Sequence, residues 1–143
     1  MEKLVVVSGG FDPIHVGHLR LFEEAGKLGK LMVVVNSDQF LIRKKGYCLM
    51  PLSERLKIVA SIRGVWVAIP AIDKDDTVCK TLDFIKPHIF ANGGDRTVKN
   101  VPETEVCRKH GIKMVFGVGG DKVQSSSNLV QAAVKKFVYS ERR

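Results

Sequence analysis

Two apolar patterns alternate along the chain. Leu4–Val7 and Leu31–Val35 are unbroken runs of β-forming residues, and without polar alternation they predict strands covered on both faces, as in a parallel sheet. Between them, Leu19 to Leu28 carries apolar residues at helical spacing. The alternation then repeats. Val65–Ile69 (closed by Pro70), Ile89–Ala91 and Ile112–Val118 predict three more strands. Ser53 to Arg63 predicts a helix capped by Ser53, with Leu56, Val59, Ala60 and Ile62 facing inward. A helix ending at Lys86 has Asp75 or Asp76 as its cap and Val78, Leu82 and Ile85 as its stripe. Pro102–Lys109, stopped by Gly111, and Leu129–Val138, preceded by Ser125-Ser126-Ser127, complete the helices. Residues 39 to about 52 are basic and irregular, with Gly46 and Pro51, and predict a loop. Strand and helix alternate five times with short connections. That order predicts a doubly wound α/β fold, a mainly five-stranded parallel sheet with helices on both faces, in a single domain over residues 1–143.

In such sheets, ligands sit at the carboxyl ends of strands, where the strand order reverses. The unusual polar clusters all follow predicted strands: Gly9–His18, Asn36–Asp38, Asn92–Arg96 and Gly119–Ser127. Their shared position predicts one site. In Ser8–Arg20, Gly9 and Gly10 let backbone approach a ligand without a Cβ in the way. The helix that follows offers free N–H groups and a positive dipole end, a seat for phosphate. His15 and His18 are three residues apart, so a helical first turn puts them on one side. They serve either as capping and core residues or as donors to phosphate oxygens during group transfer. Metal ligation is disfavoured, because His88 and His110 supply no matching partner spacing.

Composition narrows the classes. The formal net charge of +8 admits a nucleic-acid partner or a small anionic substrate. The basic residues are mostly scattered and no nucleic-acid-binding motif accompanies them, but the charge alone does not choose between the two. No apolar run approaches the ~20 residues of a membrane span, and Leu4–Val7 is too short for a signal peptide core, so a cytoplasmic location is expected. Three widely spaced cysteines, Cys48, Cys79 and Cys107, indicate neither a disulfide framework nor a zinc knuckle.

Gly10-Phe11-Asp12-Pro13-Ile14-His15-Val16-Gly17-His18 resembles the signature of the cytidylyltransferase-like nucleotidyltransferases, His-x-Gly-His after a strand and a Gly-Phe-Asp turn. The resemblance runs from Leu4 to about Lys136 and implies a Rossmann-like fold. Asn36-Ser37-Asp38 with the basic segment, and Glu54-Arg55 with Ile62-Arg63, are similar to regions of glycerol-3-phosphate cytidylyltransferases and of the adenylyltransferase domain that makes ADP-heptose. Asn92-Gly93-Gly94-Asp95 and Gln124-Ser125-Ser126-Ser127-Asn128 resemble the Lys-Gly-Gly-Asp and Cys-Ser-Thr-Thr-Asn segments of the latter.

The resemblance implies a nucleotidyltransferase joining an NTP, ATP or CTP, to a phosphomonoester with release of pyrophosphate. Mg2+ would come with the NTP, and the chain would form a homodimer, with no nucleic-acid partner and no membrane span. It implies catalytic roles for His15, His18 and Lys44. Nucleotide contacts would come from Gly9, Gly10, Phe11, Gly17, His18, Asn92, Gly94, Asp95, Ser125, Ser126 and Ser127. Acceptor contacts would come from Asp12, Asp38, Lys44 or Lys45, and Arg55 or Arg63. Structural readings stand beside these: a solvated face for the lysines, surface ion pairs for the arginines, a helix cap for the serines and a turn residue for Asp95.

The chain also departs from the cytidylyltransferase pattern. Arg63-Gly64-Val65-Trp66 stands where those enzymes carry Arg-Tyr-Val-Asp, and Lys122 stands near their arginine before the serine/threonine motif. Both departures lean toward adenylyl transfer to a sugar 1-phosphate of the heptose type. Cytidylyl transfer to glycerol 3-phosphate is the alternative, and a nucleotide-binding regulatory module the non-enzymatic one.

Overall fold

The computed structural model describes residues 2–94, 96–97 and 101–141. Five strands, β1 (Leu4–Gly9), β2 (Lys30–Val35), β3 (Val65–Pro70), β4 (Ile89–Gly93) and β5 (Lys113–Val118), form one sheet in the order β3-β2-β1-β4-β5. Every pairing is parallel, with Val5 opposite Leu31 on one side and Ile89 on the other. Six helices join them: α1 (Val16–Gly26), α2 (Asp38–Lys45), α3 (Leu52–Ala60), α4 (Cys79–Ile85), α5 (Thr104–His110) and α6 (Ser126–Glu141). The doubly wound α/β fold is as the alternation predicted.

The unbroken apolar runs have a simple cause. Successive side chains point to opposite faces of a strand, and here both faces are covered. Val5, Val7, Val33, Val35, Ile89 and Ala91 share a core with Phe22 and Ala25 of α1 and Val59 of α3. Val6, Val34 and Phe90 point the other way, into a core with Leu82 of α4 and Cys107 of α5. The chain winds from β1 outward to β3, then returns to β4 on the other side of β1. The order therefore reverses beside β1, where its carboxyl end opens between those of β2 and β4.

Several boundaries differ from expectation. The basic segment 39–52 is not all loop, because Asp38–Lys45 is helical. Ser37 Oγ accepts from Phe40 N–H, Arg43, Lys44 and Lys45 oppose the negative end of the dipole, and Gly46 closes the helix at φ 85°. Helix α3 starts at Leu52 behind Pro51, so Ser53 lies inside it and is not its cap. It stops at Ala60, leaving Ile62 and Arg63 in the turn before β3, and Ala60 faces solvent. Helix α4 is held by Asp73, not Asp75 or Asp76: its carboxylate accepts from the N–H groups of Lys80 and Thr81 and from the Thr81 hydroxyl. Helix α6 begins within the serine run, with Ser125 Oγ accepting from Asn128 N–H. Among the described residues, no helix is long and apolar enough to cross a membrane.

Candidate active site

Helix α1 starts with two histidines that cap one another's backbone. His15, at the N-cap, accepts the Gly17 N–H on Nδ1 at 3.0 Å; His18, one turn in, accepts the His15 N–H on Nδ1 at 3.1 Å. This is the reciprocal capping box, with imidazoles in place of the usual hydroxyl and carboxamide. An accepting Nδ1 carries no proton, so in each neutral ring the proton sits on Nε2. The rings stack with centroids 3.8 Å apart. Phe11 stands edge-on beneath His18 at 4.9 Å and packs on Phe22 at 5.3 Å. Gly17 has to be glycine, because a Cβ there would lie 2.8 Å from the His15 ring.

Both rings favour the neutral form at neutral pH. Burial lowers the His18 pKa to about 3, helped by Lys45 and, where it is protonated, His15; burial, then Lys45 and Lys122, lower that of His15. The unfolded chain therefore binds a proton at His18 near pH 6.5 that the folded chain refuses until about pH 3. Stability should then fall as pH drops from 7 to 5, by roughly 2 kcal/mol for this group alone. Denaturant titrations at the two pH values test it. His18→Gln should recover most of that loss, and an unchanged acid dependence in the variant would refute the assignment.

A cavity of about 380 Å³ opens in front of these rings. His15, Gly17, His18, Gly93, Gly94, Ser125, Ser126 and Ser127 all line it, together with Lys45. Arg20, Arg96 and Lys122 line it as well, with Asp121 as the carboxylate among the described lining residues. Arg96 and Lys122 fall in the polar clusters that the sequence tied to the site, although Arg96 was given no role there. Arg20 shares the face of α1 that carries Gly17.

A second cavity of about 370 Å³ lies on the other side of β1's carboxyl end. Its wall includes Ser8, Gly9, Asn36, Lys44, Asp76, Thr77 and Glu103, with Phe40 and Val78 as its apolar members. Arg96 lines both cavities. The neighbouring lysines divide: Lys45 faces the first cavity and Lys44 the second. Burial lowers the Lys45 pKa and Lys122 adds to it, while Asp12 opposes the shift.

Other expected site residues are engaged elsewhere. Phe11 is buried under His18 and Asn92 is buried with its amide donating to the Phe90 carbonyl. Gly10 lies against Leu41, whose Cδ2 is 2.5 Å from where a Cβ would be. Asp12 is wholly buried, and its carboxylate accepts from the N–H groups of Leu49 and Met50 at 2.6 and 2.8 Å. Arg55 is also wholly buried; it donates to the carbonyls of Met50, Gly10 and Asn36 and pairs with Asp38 at 2.6 Å. Asp12 and Arg55 thus hold the site's frame, and Asp38 joins them through Oδ1 while its side chain stays about a third exposed. Arg63 is exposed before the first residue of β3, at the opposite end of the sheet. Trp66 is exposed there too, with the Lys30 ammonium 4.4 Å above its ring. Asp95 lies outside the described residues.

A helix N-terminus, two Nε2–H donors, serines at the start of α6 and a ring of cations suit a triphosphate. Comparison with known proteins agrees. The family model described as cytidylyltransferase-like matches residues 6–142. A relative called FAD synthase from Ferroglobus placidus is 37% identical over 111 residues, 78% of this chain and 72% of that protein. Bifunctional protein HldE from Hahella chejuensis is 37% identical over 114 residues, 77% of this chain but 23% of that protein. The chain thus spans about a quarter of the HldE relatives' length. The crystal structure of the lipopolysaccharide core biosynthesis protein from Thermoplasma volcanium is similar, with a TM-score of 0.68 and 29% identity over 81% of this chain and 96% of that one. The chain belongs to the cytidylyltransferase-like family and is a nucleotidyltransferase.

Proposed function

We propose that the chain transfers an adenylyl group from ATP to the phosphate of a sugar 1-phosphate of the heptose-phosphate type, releasing pyrophosphate. The observation that carries this reading is the division of Lys44 and Lys45 between two cavities that flank one strand end. Consecutive cations at the end of α2 serve two polyanions whose mutual repulsion has to be cancelled. The first cavity takes the triphosphate and the second takes the acceptor, with Arg96 between them. An acceptor phosphate oxygen attacks the α-phosphorus, the bond from that phosphorus to the bridging oxygen breaks, and pyrophosphate departs with the electron pair. No general base is needed, because the phosphate nucleophile is already ionised at neutral pH. His15 and His18 donate from Nε2 to oxygens on which charge builds up.

Among the described residues, no group of three or more His, Cys, Asp or Glu side chains could hold a metal by itself. An Mg2+ carried in on the triphosphate would be ligated mainly by phosphate and water, with Asp121 a carboxylate on the cavity wall. When bound it would withdraw charge from the phosphates.

The likeness to FAD synthase makes a flavin phosphate the competing acceptor. The charged and polar groups on the second wall, Lys44, Arg96, Glu103, Asn36 and Thr77, favour a small hydroxylated acceptor, while Phe40 and Val78 are what a flat ring would use. Pyrophosphate release, measured for each of the four NTPs against hexose and heptose 1-phosphates, glycerol 3-phosphate and FMN, decides the matter. ATP with a sugar 1-phosphate is the expected pair. CTP with glycerol 3-phosphate, or ATP with FMN, would replace that assignment, and no release with any pair would overturn it.

A further inference from the structure

One buried carboxylate in the second cavity is only half partnered. Glu103 stands at the N-cap position of α5, yet its side chain makes no capping hydrogen bond. The side chain is 4% exposed. Among the described residues its Oε2 has no hydrogen-bond partner, and the Arg96 guanidinium stands 3.7 Å from Oε1, an ion pair beyond hydrogen-bond range. A buried carboxylate oxygen without a donor destabilises the fold. Burial pushes the Glu103 carboxyl up, against the pull of Arg96 and with added repulsion from Asp73 and Asp75. The other carboxylate on this wall, Asp76, is already paired with Arg43 at 3.1 Å. Glu103 is therefore the acidic group there with spare accepting capacity.

We infer that Glu103 accepts a hydrogen bond from a hydroxyl of the acceptor, so that the second cavity selects a phosphorylated polyol or sugar over a plain alkyl phosphate. The inference rests on the reading of that cavity as the acceptor site. A hydroxyl fits better than an ammonium, because Lys44 and Arg96 stand on the same wall and would repel a second cation. It fits better than another phosphate for the opposite reason, the charge of Glu103 itself. The terminal torsion of a glutamate is soft, so a small rotation turns Oε2 toward a hydroxyl in the cavity. Lys44 and Arg96 then meet the phosphate end, and Glu103 reads the carbon chain attached to it.

The test compares ethyl phosphate, glycerol 3-phosphate and a hexose 1-phosphate by calorimetric titration into the whole chain, wild type and Glu103→Met. A hydrogen bond to a charged group is worth about tenfold or more in affinity. The wild type should therefore prefer at least one hydroxylated phosphate over ethyl phosphate by at least about that factor. In Glu103→Met the ratio should fall toward one. Glu103→Gln, which keeps an accepting oxygen, should retain part of it. The ligand-free Met variant should also melt a few degrees higher, roughly as expected for removing a buried carboxylate with one unsatisfied oxygen and a long ion pair from a domain of this size. A preference that survives in the Met variant, or a lower melting temperature, would overturn the role of Glu103 and leave the acceptor cavity standing. If the wild type bound none of the three phosphates, the acceptor reading itself would fall, and this inference with it.

Discussion

His18→Gln should lower kcat by about 10²–10³-fold, the range seen when one preorganised donor to a developing oxyanion is removed, while the fold survives. The choice of glutamine follows from the cap. His18 occupies the third position of α1 and accepts the His15 N–H, and glutamine is a preferred residue for that task. His15→Asn is the matching change, because asparagine is a strong N-cap and can accept the Gly17 N–H in place of Nδ1. Alanine at residue 15 would mix two effects, since losing a cap costs about 1 kcal/mol by itself. With the caps kept, the melting temperature should hold and kcat should fall together with kcat/KM, as expected for an interaction made only in the transition state. The double variant should lose less than the product of the single losses if the stacked rings act on one phosphate group. Pyrophosphate release and thermal melts on the three variants suffice. Turnover within about threefold of wild type in both single variants would leave the histidines as caps and nothing more.

The histidines also show what could be read from the chain alone. Their spacing put them on one side of a first turn, but capping and phosphate contact stood as alternatives. In the fold the two are compatible, because Nδ1 accepts from the backbone and leaves Nε2 for another partner. That distinction between two atoms of a ring is invisible in sequence. The strands were legible because both sheet faces are covered and the apolar runs are continuous. Helix α2 was not, since Leu41 is its one buried residue and leaves no apolar period to see. Its cap signals, Ser37 and Gly46, were present and were outweighed by the charges between them. The second cavity was legible only in part. Ser8, Asn36 and Lys44 lie in stretches that the sequence tied to the site, whereas Thr77 and Glu103 come from separate segments that carry no motif.

Arg55→Leu should destabilise the fold by about 3–5 kcal/mol, the range for breaking a buried ion pair from one side, out of a total on the order of 5–15 kcal/mol. The guanidinium is fully buried, and its four hydrogen bonds join the carbonyl of Gly10 after β1, that of Asn36 after β2, that of Met50 before α3, and the Asp38 carboxylate in α2. Removing it strips the Gly10 and Asn36 carbonyls of this donor, leaves that of Met50 with only the Cys48 thiol, and leaves Asp38 without its cation. Arg55→Lys should recover little, because a point charge with three donors cannot match a planar fork making four bonds. Arg63→Ala, at an exposed position on the far end of the sheet, should stay within about 0.5 kcal/mol of wild type. Urea unfolding of the three variants reads these differences directly. A residue that binds an acceptor phosphate behaves otherwise: its loss raises KM and leaves the unfolding midpoint alone. Should Arg55→Leu do that, the arginine belongs among the substrate ligands after all. The expected result places it one layer beneath them, where it ties the ends of β1 and β2 to the segment that Asp12 also grips, and so fixes where Lys44 and Lys45 point.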